Sequence, residues 1–118
     1  MQFKIILIFL LLYCTVASAQ LNVFANHIKE IDSTRFTMIE NYAKSKWNTA
    51  SDVNLIEFEI NKQSEGYVNV MKLLNEHWGC QKNKTIIAME MLKHSNDPDY
   101  FSDANWWVIH IEIRNRLE

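Results

Sequence analysis

Ile56-Glu57-Phe58-Glu59-Ile60 alternates apolar and acidic side chains without a break, and the reading of these five residues decides the fold. A period of two places Ile56, Phe58 and Ile60 on one face and both glutamates on the other, the pattern of a half-buried strand. Upstream the spacing is different. Between Leu21 and Trp47, the side chains of Phe24, Ile28, Ile31, Met38, Ile39 and Tyr42 project within about 100° of one another on a helical wheel, which predicts one long amphipathic helix. Arg35 interrupts that stripe, and Asp32-Ser33-Thr34 offers a cap at which the helix could break near 33. Asn48-Thr49-Ala50-Ser51-Asp52 is small and polar and ends it.

Downstream, Lys62-Gln63-Ser64-Glu65-Gly66 reads as a turn holding one of the chain's two glycines. Tyr67 to Trp78 admits two readings. As a helix, Tyr67, Val70, Met71, Leu74 and Trp78 share a face and Gly79 is the stop. As a strand to about Leu74, the segment completes a hairpin through Gly66, and the β-branched Val68 and Val70 favour this second reading. Gly79 to Lys84 forms another turn cluster, and Thr85 to Leu92 alternates through Ile87, Met89 and Met91. Ser95-Asn96-Asp97-Pro98-Asp99 is the clearest turn, because Pro98 continues neither element. In the last segment Trp107, Ile109, Ile111 and Ile113 alternate with Val108, His110, Glu112 and Arg114. The expected fold class is therefore α+β: one long N-terminal helix packed on a four-stranded antiparallel sheet.

The first 19 residues read as a signal peptide. Met1-Gln2-Phe3-Lys4 is a short basic start, Ile5 to Leu12 is unbroken apolar, and Ala17-Ser18-Ala19 has the small-x-small form of a cleavage site. The remaining residues, 20–118, make one globular domain and a secreted, extracellular product. Removing the leader and its single Lys4 leaves 99 residues with 11 Lys+Arg against 14 Asp+Glu, a formal net charge of −3. That balance excludes a nucleic-acid binder, which needs basic clusters to displace counterions from phosphates. No later apolar run approaches the roughly 20 residues of a membrane span.

Cys14 leaves with the leader, so Cys80 stands alone. It reads as a loop or core thiol, with an intermolecular disulfide, and hence a homodimer, as the other reading. Asn83-Lys84-Thr85 is an N-glycosylation sequon and would place that segment on the surface.

A helix followed by four antiparallel strands resembles the cystatin-like fold over nearly the whole mature length. Cystatins bind papain-like cysteine peptidases with a wedge of hairpins, and this chain offers Gln63-Ser64-Glu65-Gly66 at the first and Pro98 with Trp106-Trp107 at the last. The resemblance implies protein binding through Gln63, Gly66, Trp106 and Trp107, with a papain-like peptidase as partner. The residues themselves leave Glu65 as a solvated turn acid and give Gln63 and Gly66 ordinary turn chemistry.

Catalysis has little to build on. His77 and Cys80 are three apart but lack a third group to make a metal site or an oriented nucleophile. Glu57 and Glu59 share a face without a cleft, and two glycines supply no phosphate loop. No enzyme activity, cofactor or metal is expected. The alternatives to a degenerate inhibitor are a carrier of a small apolar ligand, with Phe36, Met38, Met89, Met91 and the tryptophans lining a pocket under the sheet, and a self-associating or partner-binding extracellular protein.

Overall fold

A computed structural model describes residues 21–48 and 53–117, and every regular element in them is a helix. The order is α1 (Val23–Ile31), α2 (Ser33–Lys46), α3 (Val53–Glu76), α4 (Gln81–Lys93) and α5 (Trp106–Leu117). No strand occurs among the described residues, so the α+β expectation and the cystatin-like resemblance both fall. The proposed leader, residues 1–19, lies outside the described residues.

The N-terminal half is helical, but as two helices in place of the one long helix expected, and of the six stripe residues only Ile28 and Ile39 are buried while Ile31 is 67% exposed. Asn22 caps α1, its side chain accepting from the Ala25 N–H at 2.9 Å, and its own N–H donates to Asn61 Oδ1 of α3 at 2.8 Å. The break that Asp32-Ser33-Thr34 allowed is present: Asp32 closes α1 and its carboxylate accepts from the Arg35 N–H at 3.0 Å to open α2. The face that the two helices bury is Ala25, Ile28, Phe36, Ile39 and Ala43, of which only Ile28 and Ile39 belong to the expected stripe.

The error begins at Ile56–Ile60. Residues i and i+4 share a face in a helix as they do in a strand, so Ile56 and Ile60 satisfy both periods. The residues between them decide the matter, because in α3 Phe58 is 62% exposed while Glu59 is 1% exposed, the reverse of the strand assignment. The expected turn at 62–66 is mid-helix, and Tyr67–Glu76 continues it, so the helical reading of that segment is the correct one. Gly79 then lies in the α3–α4 turn. The alternation in 85–92 and 107–114 fails in the same way: Ile87, Ile109 and Ile113 are buried, but so are Glu90 and His110, while Met89 and Ile111 face solvent.

The core is assembled around α3. Ile60 and Val70 join Ile28 and Ile39 on one side and Trp106, Ile109 and Ile113 on the other, with Ile87 of α4 behind α5. Between α4 and α5 the chain runs through a loop held by two aspartates. Asp97 accepts from the N–H groups of Asp99, Tyr100 and Ser102 and from the Ser102 hydroxyl, and Asp103 accepts from the Ser95 hydroxyl and the Asn96 N–H. Here the turn reading at Ser95–Asp99 matches the structure.

Candidate functional site

The four residues singled out for protein binding do come together, but three of them face inward. Gln63 and Gly66 lie one helical turn apart on α3 and meet the start of α5. The first N–H groups of a helix have no partner inside it, and Gln63 supplies one: its Oε1 accepts from the Trp107 N–H at 3.3 Å. Asn105 supplies another, its Oδ1 accepting from the Val108 N–H at 3.2 Å. The Gln63 amide nitrogen then donates to Asn105 Oδ1 at 3.0 Å and to Glu59 Oε2 at 2.9 Å, so every polar atom of this 1% exposed side chain is paired.

At Gly66 the helices all but touch. A Cβ there would stand 2.6 Å from the Trp106 carbonyl carbon and oxygen and 2.7 Å from the Trp107 nitrogen. Glycine is present because the backbones need the space, not because a turn needs its conformational freedom. Trp106 is 2% exposed, its ring edge-on to Tyr67 at 4.9 Å; only Trp107 of the four reaches the surface, half-buried. Among the described residues no hairpin edge exists to enter a peptidase cleft.

Glu59 continues the same seam. Lys46 Nζ at the end of α2 lies 2.8 Å from its Oε1, and Trp47 Nε1 donates to that oxygen at 3.4 Å. Burial pushes the Glu59 carboxyl up, but the hydrogen bonds from Lys46 and Gln63 and the lysine charge outweigh burial and hold its pKa below the usual glutamate range. Lys46 is correspondingly raised by its hydrogen bond to Glu59. A second buried acid, Glu90, is met by Arg116 Nη1 at 2.8 Å, with His94 Nε2 3.6 Å from its other oxygen. Arg35, the charge inside the apolar stripe, donates to the carbonyls of Tyr100 at 2.7 Å and Phe101 at 3.2 Å, with its guanidinium centred 5.2 Å and 5.3 Å from the rings of Tyr67 and Trp106.

Of the open grooves among the described residues, two contrast in character. One, of about 510 Å³, lies between α2 and the 94–105 loop and is polar, with Asn41, Tyr42, Ser45, Lys46 and Asp103 along it. Burial raises the pKa of Tyr42 there. The other, of about 310 Å³, lies between α1 and α3. Ile28, Ile31, Tyr67, Val68 and Met71 make its floor and walls, and His27, Lys72 and Asn75 stand with them. The methionine-lined pocket expected under a sheet does not form: Phe36 is buried, Met38 lines the polar groove and Met89 is 54% exposed.

The other candidates are dispersed. His77 and Cys80 do not form a site; His77 Nδ1 is 3.1 Å from Asn83 Nδ2, and Cys80 is an exposed free thiol. Glu57 is turned away from Glu59 by the helical pitch. No group of three or more His, Cys, Asp or Glu side chains able to hold a metal occurs among the described residues, and no helix among them is long and apolar enough to cross a membrane. Sequence reasoning missed the Glu59–Gln63–Asn105 seam and the α1–α3 groove. The Glu59/Gln63 spacing of one helical turn was the available signal, once 53–76 is read as a helix. No family model matches this sequence, and neither a curated protein nor a solved structure is significantly similar to it.

Proposed function

We propose that the mature chain is a small, secreted, non-catalytic binding protein that holds a fatty-acid-like amphiphile in the groove between α1 and α3. The carrying observation is that groove itself. Its concave surface is built from the side chains of Ile28, Tyr67, Val68 and Met71, with Lys72 and His27 at hand for a negatively charged head group. Its volume, about 310 Å³, falls at the small end of the roughly 300–1,000 Å³ typical of ligand pockets, which suits a medium-length chain. Methionine at such a surface adapts to ligands of differing shape. The buried acids support a binding role over catalysis, since Glu59 and Glu90 are each neutralised by a cation within the fold. Secretion is supported by the leader pattern of residues 1–19.

The test is titration with a dansyl-labelled undecanoic acid. Saturable fluorescence enhancement is expected, displaced by decanoate more readily than by decanol. Val68→Trp should fill the groove and abolish it, and Lys72→Glu should weaken decanoate while sparing decanol. No enhancement at high micromolar protein would reject the reading.

A second reading, a protein partner, is favoured by Phe58 and Trp107. Phe58, 62% exposed, and the half-buried Trp107 line a further groove of about 310 Å³ with Lys62 and Glu65, and aromatic side chains of this kind anchor interfaces. If the partner is a second copy, sedimentation should show concentration-dependent association that Phe58→Ser removes. A monomer at every concentration sets that form aside.

A further inference from the structure

We propose that Asn83 carries an N-linked glycan, and that this glycan shields the corner between α3 and α4, where Trp78 and Cys80 stand exposed. The proposal rests on the secretion reading, because the transfer takes place in the lumen of the secretory pathway. In that step the Asn83 amide nitrogen bonds to the anomeric carbon of a polyprenyl-diphosphate-linked oligosaccharide. The bond from that carbon to the diphosphate oxygen breaks, the lipid diphosphate leaves with the electron pair, and the amide gives up one of its two protons. The hydroxyl of Thr85, two residues on, completes the acceptor sequence.

The folded protein accommodates the product. Asn83-Lys84-Thr85 lies in the first turns of α4, at its corner with α3, with Gln81, Lys82 and Thr85 exposed around a half-exposed Asn83. Asn83 Nδ2 stands 3.1 Å from His77 Nδ1. Turning the amide over exchanges nitrogen for oxygen, and the other neutral tautomer of His77 then donates to Oδ1. The hydrogen bond survives, and the substituted nitrogen points away from the imidazole.

What surrounds the sequon gives the glycan a task. Trp78 is 61% exposed, and Lys84, next to Asn83 in the chain, places its Nζ 4.6 Å from the centre of that ring. Cys80 is the residue before α4, and its carbonyl accepts from the Lys84 N–H at 3.0 Å, so the thiol and the sequon share a turn. An exposed thiol in an oxidising compartment is open to exchange with a disulfide or to pairing with a second copy. An exposed indole beside it gives that second copy an apolar surface on which to settle. A bulky polar sugar three residues from the thiol obstructs that approach and keeps the protein monomeric at this corner.

The test expresses the full chain in a eukaryotic secretory cell line as wild type, Asn83→Gln, Thr85→Ser and the double variant Asn83→Gln/Cys80→Ser. Wild type recovered from the medium should show one mobility shift on treatment with peptide N-glycosidase, with Asn83 converted to Asp. Thr85→Ser should keep that shift and Asn83→Gln should lack it. Without reductant, Asn83→Gln should contain several-fold more disulfide dimer than wild type, and the double variant none. If Asn83→Gln stays in the cell, native deglycosylation of purified wild type followed by mild oxidation reads the same increase. Wild type in the medium with no shift overturns the glycan and leaves secretion standing. Wild type retained unshifted in the cells overturns secretion and the glycan together. A glycosylated wild type whose glycan-free form dimerises no more than itself overturns the shielding.

Discussion

α3 treats its two sides differently. Against α5 it presents Gln63 and Gly66, with Gln63 tied in turn to Glu59 and Asn105, and the contact is a polar, paired seam drawn so close that no Cβ fits. Against α1, further along, it presents Val68 and Met71, and the contact opens into an apolar groove. The seam is built from groups that tolerate one geometry, because a buried amide or carboxylate left unpaired costs free energy while an apolar contact merely loosens. The groove is built from side chains that repack at low cost. Specification of the fold is therefore concentrated on the α5 side, which leaves the α1 side freer to repack.

Four experiments break or sharpen this contrast. Trp106→Ala should have the largest effect, a loss of about 3–5 kcal/mol in urea unfolding, since it empties a buried site and strips Arg35 and Tyr67 of a partner. Gly66→Ala comes next, at about 1–3 kcal/mol even though alanine is the better helix former, because the added carbon must push Trp106 away. Gly79→Ala, with nothing within 4 Å of its added carbon, should change stability by less than about 0.5 kcal/mol. Equal effects at the two glycines would mean that the seam is not close-packed.

The third experiment follows pH. The folded-state pKa of Glu59 is depressed, so the unfolded chain binds the proton first. The stability Glu59 contributes is fully present above the ordinary glutamate range and is lost as pH falls through that range to the folded pKa. His110 acts in the same direction at higher pH. Burial, with the Arg114 charge adding and Glu65 opposing, lowers its pKa, so protonation below the usual histidine range favours unfolding. Urea midpoints should decline in two stages on acidification. His110→Gln should remove the first and Glu59→Gln the second, and curves unchanged by either variant would count against the seam as the seat of the acid response. The smallest effect is Ser64→Ala. The Ser64 hydroxyl is fully buried without a hydrogen-bond partner, so its removal should leave stability unchanged or raise it by up to about 1 kcal/mol.

The same contrast explains what could be read from the sequence. α1 and α2 bury apolar residues at helical spacing and cap with Asn22 and Asp32, so their periodicity is legible, as is the Asp97–Pro98 turn. α3 is not, because its inward face carries Glu59, Gln63, Ser64 and Gly66 while Phe58 points outward. Inverting polarity at those positions erases the helical signal and leaves a spurious alternation over five residues. Glu90 against Met89, and His110 against Ile111, repeat the inversion in α4 and α5. Gln63, Gly66 and Trp106 stand out in the sequence only through the cystatin resemblance, which the all-helical fold overturns; what sets them apart is the close packing of α3 on α5. Their peculiarity belongs to the seam and not to a binding edge.

α5 is also the last of the five described helices to leave the ribosome, and it supplies Trp106, Ile109 and Ile113 to the interior. Until it emerges, the part of α3 that carries Gln63 and Gly66 lacks its cover, and that amide and bare glycine backbone are hydrated groups in a half-made molecule. Docking of α5 is thus the step that closes the core over that face of α3.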